Sequence, residues 1–450
     1  MTYKKLFATA ALAITALVVL RTPLTAFAED RYSELQTFTK ILNMVQQFYV
    51  EEVDTKKLIY GAIKGMLREL DPHTNFMPVE IYKEFESETT GEFGGLGIEI
   101  SVQNGILTII SPIEDAPAWN AGIKAGDKIV AINGHSTKGL SLVEASQLMR
   151  GKRGSVVTLS IIRANAEQPT DYAIRRGQVK LKSVKYTDLG DGYAYVRITS
   201  FIENTSKDLE KILADHAKDN KDFKGLLIDL RRNPGGLFEQ AIKISDLFLD
   251  SGAIVSTIGR NKQDKEVVNA KKDGGYPNVP IVVLINEYSA SASEILAGAL
   301  QDNQRALIAG ERSFGKGSVQ SVIKLGDGSG LKLTVARYFT PSGRSIQAEG
   351  IAPDIEIQNV DFQAFNKAVV SSDNMREKDM EGHLMSEKEK ESTEKTKESV
   401  NANAWWNEVS KKSEESLSPK DKLLKADFQV FQAFNYLKTW KIFNKKSQVQ

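Results

Sequence analysis

Residues 281–320, IVVLINEYSASASEILAGALQDNQRALIAGERSFGKGSVQ, pack a strand, a turn, a helix and a glycine loop into one short segment. The run Ile281 to Ile285 is apolar without alternation and short, the pattern of a strand buried on both faces. Asn286 to Ser289 carries turn-forming residues. From about Ser291 the apolar residues Ile295, Leu296 and Leu300 fall on one side of a predicted helix. A second short strand, Arg305 to Ala309, leads into the glycine-rich loop Gly310 to Gly317. Ser291 therefore stands where a buried strand gives way to the first turn of a helix. Unpaired backbone N–H groups and the positive end of the helix dipole favour a developing oxyanion at that point.

A serine hydroxyl needs a base before it can attack a carbonyl. The chain has four histidines, His73, His135, His216 and His383, and none lies in this segment. Lys316, between Gly315 and Gly317, is the local candidate. An ordinary lysine is a poor base at neutral pH, but burial disfavours its charged form and makes it one. A Ser–Lys pair is then a variant of the serine–base arrangement. Gln320, on an incipient strand, is placed to hold the lysine amine. The competing structural reading is a helix cap: Ser289, Ser291 or Ser293 as N-cap, with Glu294 completing a capping box.

The two motifs Glu287-Tyr-Ser-Ala-Ser-Ala-Ser-Glu294 and Gly315-Lys-Gly-Ser-Val-Gln320 resemble the active-site signature of the C-terminal processing peptidases, also called tail-specific proteases. The resemblance extends over roughly Tyr32 to Asp354. It implies a nucleophile at Ser291, a lysine base at Lys316 and a supporting glutamine at Gln320. It also implies a crotonase-like α/β protease core and polypeptide substrates.

A second turn bears on the same chemistry. Asp229-Leu-Arg-Arg-Asn-Pro-Gly-Gly236 ends a predicted buried strand, and Pro234 with two glycines forces a tight connection with exposed amides. An ordinary strand–helix connector would read the same way. The resemblance implies that Gly235 or Gly236 supplies an oxyanion N–H, partnered by the amide of Ala292.

Length and composition set the frame. With 450 residues, 41% hydrophobic and 26% charged, the chain has the makings of several globular domains. A net charge of +1 gives no general case for nucleic-acid binding. The absence of cysteine excludes disulfides, thiolate catalysis and cysteine metal sites. No metal or organic cofactor is needed for Ser–Lys chemistry.

Residues 1–28 read as an export signal. Lys4 and Lys5 precede an apolar core from Leu6 to Leu20, and Ala26-Phe27-Ala28 fits a small-x-small cleavage site. The expected location is the periplasm or an equivalent extracytoplasmic space. An uncleaved anchor with inner-membrane association is the alternative, although Arg21 and Pro23 interrupt the run. Residues 29–88 show helical spacing, through Leu35, Phe38, Ile41, Val45 and Phe48 and then Leu58, Ile59, Ala62, Met66 and Leu67. Leu70-Asp-Pro-His73 stops the second helix. His73, with no nucleophile beside it in sequence, reads as a local structural residue. Relatives use such helices to dimerise, which implies a homodimer.

Between residues 89 and 177 the period changes to short strands. Gly97–Val102 and Ile106–Ser111 flank Asn104-Gly105, a hairpin signal, and a helix near Ser141–Met149 and a strand Val156–Arg163 follow. With Ala121-Gly-Ile-Lys-Ala-Gly-Asp and Ile132-Asn-Gly134, this segment resembles a PDZ domain. The resemblance implies that Gly95-Leu96-Gly97-Ile98 receives a free polypeptide carboxylate on its backbone N–H groups, the last side chain resting near Leu96, Ile98 and Leu148.

Residues 178–360 alternate strands and helices, the pattern of an α/β core. Residues 361–450 begin with a stretch of mixed charge from Arg376 to Glu398, read as a solvated helix or linker. An aromatic amphipathic segment, Trp405-Trp406 and Phe428 to Phe443, follows; packing on the core or an interface is expected for it. Two functional classes stand: an exported serine endopeptidase recognising C-termini, and a catalytically silent PDZ adaptor or holdase on a protease fold. Intact Ser291, Lys316 and Gln320 favour the first.

Overall fold

The computed structural model describes residues 22–360 and 416–447, apart from 104, 114–115, 141, 164–165, 167, 221 and 272–274, together with 380 and 384. The charged stretch 376–398, Trp405 and Trp406 thus lie outside the described residues, save for Met380 and Leu384. So does most of the expected export signal. The described part of that signal belongs to a helix, Thr22–Phe48, that runs through the expected cleavage point after Ala28.

A six-stranded sheet forms the centre of the larger domain. Its order is Val184–Gly190, Tyr193–Ile198, Gly225–Asp229, Ile281–Ile285, Leu307–Gly310 and Ile355–Glu356. The first pair is antiparallel and every later pair parallel. Successive residues of a strand face opposite sides. Ile281, Val283 and Ile285 accordingly meet Leu209, Ala241, Ile244, Ile295 and Leu296 on one face. Val282 and Leu284 meet the other layer, with Leu424, Val430, Ala433, Phe434 and Leu437. That second layer comes from the C-terminal helices Pro419–Ala426 and Phe428–Ser447, so the aromatic tail segment packs on the core. The uninterrupted apolar run at 281–285 follows from burial on both sides.

The tail is also tied by charge. Asp229, fully buried at the end of its strand, accepts from Tyr195 Oη at 2.8 Å and from Arg231 Nε and Nη2 at 3.0 and 2.7 Å. Arg231 then reaches into the tail, donating to both Asp427 carboxylate oxygens at 3.0 and 2.6 Å and to Gln429 Oε1 at 2.7 Å. Burial alone would raise the Asp229 pKa, but the Arg231 guanidinium, the Arg231 N–H and the Tyr195 hydroxyl hold it below its ordinary value. Removing one partner of a buried ion pair strands the other charge. Arg231→Ala is therefore expected to destabilise the fold by about 3–5 kcal/mol, read as a lower urea midpoint, with Asp427→Asn falling between it and wild type.

A second sheet runs Asn75–Met77, Gly330–Phe339, Ala253–Gly259 and Lys265–Asn269, with Ser318–Lys324 pairing alongside Gly330–Phe339. Asn75–Met77 joins it antiparallel, Asn75 opposite Lys332 and Met77 opposite Gly330. This pairing brings the Leu70-Asp-Pro-His73 segment to the core.

The smaller β domain holds the strands Ile98–Gln103, Ile106–Pro112, Lys128–Ile132, Val156–Ile162 and Thr170–Arg175, with helices Pro117–Asn120 and Leu142–Met149. Its core includes Ile109, Ile129, Ile132, Leu159 and Met149. A two-stranded ribbon, Glu92–Gly95 against Gly177–Lys180, pairs the chain entering the domain with the chain leaving it.

Candidate active site

The Ile281–Ile285 strand delivers its chain to the tight turn Asn286–Ser289, and the helix Ala292–Asp302 begins directly after Ser291. The three serines of Ser289-Ala-Ser-Ala-Ser293 then part company. Ser289 is fully buried; its hydroxyl donates to Leu230 O at 2.8 Å and accepts from Asn286 N–H at 3.0 Å. Ser293 is equally buried and donates to Asn233 O at 3.0 Å. Ser291 alone among them remains part-exposed. Its backbone has φ 56° and ψ −111°, a left-handed conformation that disfavours a side chain and typically costs about 1–3 kcal/mol. Sharp strand-to-helix turns of this kind push a nucleophile outward from its sheet.

The glycine turn 233–236 is packed against Ser291. Asn233 acts as its rivet: fully buried, it donates from Nδ2 to Ile198 O at 2.8 Å and accepts on Oδ1 from Gly235 N–H at 2.9 Å. Its backbone carbonyl also accepts from Ala290 N–H at 3.0 Å. Gly235 has φ +98°, and a Cβ there would lie 2.6 Å from Ala290 O, 2.9 Å from Ser291 Cβ and 3.0 Å from Ala292 N. Only a glycine lets the two backbones approach this closely. The Gly235 N–H is thus committed to Asn233. Among the described residues the N–H groups of Gly236 and Ala292 enter no hydrogen bond.

Lys316 approaches from the loop before Ser318–Lys324. Phe314 N–H donates to Ser289 O at 3.0 Å, tying that loop to the serine turn. Lys316 is half-buried and shares with Ala290, Pro234, Arg232, Tyr288 and Phe314 the lining of a pocket of about 650 Å3. Its pKa is lowered, first by burial and then by the Lys332 charge, while Glu294 and Asp71 act in the opposite sense. Each effect has its ordinary cause: burial penalises a cation, a like charge repels it and a carboxylate steadies it.

Gln320 is close by in sequence but is held elsewhere. Its Nε2 donates to Ser318 Oγ at 2.8 Å and to Thr334 Oγ1 at 3.3 Å, and among the described residues it forms no hydrogen bond with Lys316. Thr334 continues to Thr74, their hydroxyls 3.3 Å apart, and Thr74 donates to Asp71 Oδ2 at 2.7 Å. Asp71 Oδ1 accepts from the N–H groups of His73 and Thr74 at 2.8 and 2.9 Å. The structure thus sets a neighbour beside Lys316 that sequence reasoning missed. His73 has a lowered pKa, through burial first and the charge of Lys316 next. No local motif announces this. It follows from Asn75–Met77 pairing with Gly330–Lys332. Among the other histidines, His216 is buried against Tyr186, its Nδ1 2.7 Å from the Tyr186 hydroxyl.

In the smaller domain a groove of about 480 Å3 is lined by Gly95, Leu96, Gly97 and Ile98. The Leu142–Met149 helix faces it with Ser146 and Met149, and Arg150 follows; Leu148 is 40% exposed and lies outside the lining. Lys182, Lys185 and Thr199 of the larger domain complete the groove. Gly97, at φ +72°, lies so close to Ala116 that a Cβ would meet the alanine methyl at 2.2 Å.

Comparison with known proteins accords with this architecture. Residues 192–357 match the model of peptidase family S41, residues 108–163 a PDZ domain, and residues 20–81 the N-terminal domain of the activating protease CtpB. The chain is 45% identical over 363 residues to the carboxy-terminal-processing protease of Bartonella bacilliformis, covering 80% of this chain and 83% of that one. It is 38% identical over 332 residues to the carboxy-terminal processing protease CtpA of Bacillus subtilis, covering 73% and 70%. A solved photosystem II D1 C-terminal processing protease aligns with 72% of this chain and 93% of its own, at 32% identity and a TM-score of 0.44. With a PDZ domain joined to an S41 domain behind N-terminal helices, and identities of this size over most of both chains, the protein belongs to the carboxy-terminal processing proteases of peptidase family S41.

Proposed function

We propose that this protein is an exported serine endopeptidase in which Ser291 and Lys316 form the catalytic pair and the PDZ groove captures a polypeptide's free C-terminus. What supports the reading is a part-exposed Ser291 whose turn is tied to the Lys316 loop by the Phe314 N–H to Ser289 O bond, the lowered pKa of Lys316, and the packing of the glycine turn on Ser291, where the N–H groups of Gly236 and Ala292 enter no hydrogen bond among the described residues. Lys316 Nζ, as the neutral amine, takes the Ser291 hydroxyl proton while Oγ bonds to the peptide carbonyl carbon. The carbonyl oxygen becomes an oxyanion, held by the N–H of Ala292 and, because Gly235 N–H is taken by Asn233, by that of Gly236. The C–N bond then breaks as the lysine ammonium returns its proton to the leaving amine. Water attacks the acyl-enzyme in the same sense, giving up a proton to Lys316, and Ser291 is regenerated with a new C-terminal carboxylate released. Gln320, oriented through Ser318 and Thr334, serves to keep the Ser318–Lys324 strand, into which the lysine loop runs, in register.

The groove lined by Gly95–Ile98 receives the substrate's end, with Lys182 and Lys185 adding positive charge near its carboxylate. The α/β core is read as crotonase-like, and the periplasm or a similar compartment as its place of work. No helix among the described residues is long and apolar enough to cross a membrane. An uncleaved anchor in residues 1–28 is the competing reading and predicts an intact Met1 end in the membrane fraction. Exposed Leu35, Phe38, Ile41, Met44 and Phe48 along the first helix suit a homodimer contact.

Digestion of an unfolded polypeptide tests C-terminal capture. A substrate with a free C-terminal carboxylate should be cleaved with a KM several-fold below that of the same chain ending in an amide. Equal kinetic constants for the two would remove the groove from substrate selection.

A further inference from the structure

Glu294 reads from sequence as the closing member of a helix capping box, yet that accounts for only one of its contacts. Its side chain is completely buried, and its two oxygens accept four hydrogen bonds. Oε2 takes the backbone N–H of Ser291 at 2.8 Å and that of Lys316 at 2.9 Å. Oε1 takes the N–H of Gly315 and the hydroxyl of Ser313, both at 2.6 Å. One carboxylate oxygen thus bridges the main chains of the two residues assigned to nucleophile and base, although they come from different segments of the chain.

From this geometry we propose that Glu294 is the positioning residue of the active site, fixing the backbones of Ser291 and Lys316 to each other through a single buried carboxylate. The proposal rests on the Ser291–Lys316 reading above and adds to it the element that sets their separation. Both segments need such a tie. Ser291 is in a strained left-handed conformation, and Lys316 follows Gly315, which has φ +90° in a loop without regular structure. An ionised carboxylate suits the task because it only accepts, and all four facing groups are donors. Burial raises the Glu294 pKa while the four donors oppose the rise.

A glutamine has one acceptor oxygen and an NH2, so it cannot satisfy both pairs of donors. Whichever way the amide turns, at least one backbone N–H faces another N–H. Glu294→Gln is expected to lower kcat by about 10²-fold, the scale of a small misplacement of reacting groups, with KM for a C-terminal peptide substrate within about threefold. A second readout separates positioning by this charge from general loosening. Lys316 faces the charged groups Glu294, Asp71, Lys332 and its neighbour His73. Removing the Glu294 charge takes away a carboxylate that raises the lysine pKa. The midpoint of the basic rise in kcat should therefore move to lower pH in Glu294→Gln. Misfolding would reduce the active fraction without moving that midpoint.

A Glu294→Gln enzyme with kcat within about threefold of wild type, or with reduced kcat and an unmoved midpoint, overturns the proposal. Should that variant fail to fold, Ser313→Ala decides. It deletes one donor to Oε1, together with the acceptor of the Ile351 N–H, and leaves the charge and both Oε2 bonds. Several-fold lower kcat with an unmoved midpoint is expected, and unchanged kcat overturns the proposal. Ser291→Ala, run beside these, keeps the two ideas apart: activity in that variant refutes the Ser–Lys reading, whereas wild-type rates in Glu294→Gln refute only the clamp.

Discussion

Ser291→Ala is expected to abolish peptide-bond hydrolysis, with a loss on the order of 10⁴-fold or more in kcat, while the folded chain still holds a C-terminal peptide. The comparison with its neighbours makes the result specific. Ser289 and Ser293 are each about as close to the helix start, and each has a hydroxyl bonded to a backbone carbonyl across the turn. Their alanine variants lose buried hydrogen bonds, two at Ser289 and one at Ser293, each worth about 1–3 kcal/mol of stability, and keep most of their kcat at temperatures where they are folded. Thermal denaturation and a steady-state assay on the three variants read both quantities. A Ser289→Ala variant that is folded and inactive, beside an active Ser291→Ala, would move the nucleophile by one alternate position and contradict the exposure pattern of the turn.

Lys316→Arg should be nearly as inactive as Lys316→Ala. Arginine keeps the positive charge but stays protonated at any accessible pH, so it cannot take the serine proton. If charge alone mattered, the arginine variant would retain much of the rate; if a neutral amine is required, it loses at least on the order of 10²-fold. The pH dependence has a fixed sign. Burial and Lys332 lower the Lys316 pKa, so the neutral amine accumulates as pH rises through a value below that of an ordinary lysine. Wild-type kcat should climb through that window and level off above it, and Lys316→Arg should show no such climb. His73, lying in the same electrostatic neighbourhood, is the control: His73→Ala should keep the basic limb, because its own pKa lies below its usual value. A basic limb that disappears in His73→Ala and survives in Lys316→Arg would transfer the base to the histidine.

Much of this site was legible because its signals are local. The unbroken apolar run 281–285 announces a strand covered on both faces, and the serine that follows falls at a helix start. The glycine pair 235–236 announces a tight turn, which the structure places against Ser291. What stayed hidden depends on contacts distant in sequence. The pairing of Asn75–Met77 with Gly330–Lys332 carries Asp71 and His73 to the lysine, and nothing in Leu70-Asp-Pro-His73 names that partner. The strand Lys265–Asn269 gives little signal of its own, because it is largely exposed and leaves little hydrophobic periodicity to read. Glu294 was visible only as a cap, since the loop bearing Gly315 and Lys316 meets it only in the fold. The strain at Ser291 was invisible as well, because a left-handed backbone is expected of glycine and the residue is a serine. The Asn233 hydrogen bond that occupies Gly235 N–H and sets it apart from Gly236 was likewise out of reach of the sequence.

The acyl-enzyme itself is the most direct test. Wild-type protein mixed with an activated peptide ester and quenched in acid within the first turnovers should carry the acyl group, and tandem mass spectrometry should place it on Ser291. Lys316→Ala, folded and given the same ester for the same time, should carry little or none. Acyl groups on any other residue, or equal acylation of Ser291 in the wild type and Lys316→Ala, would contradict the Ser291–Lys316 pair.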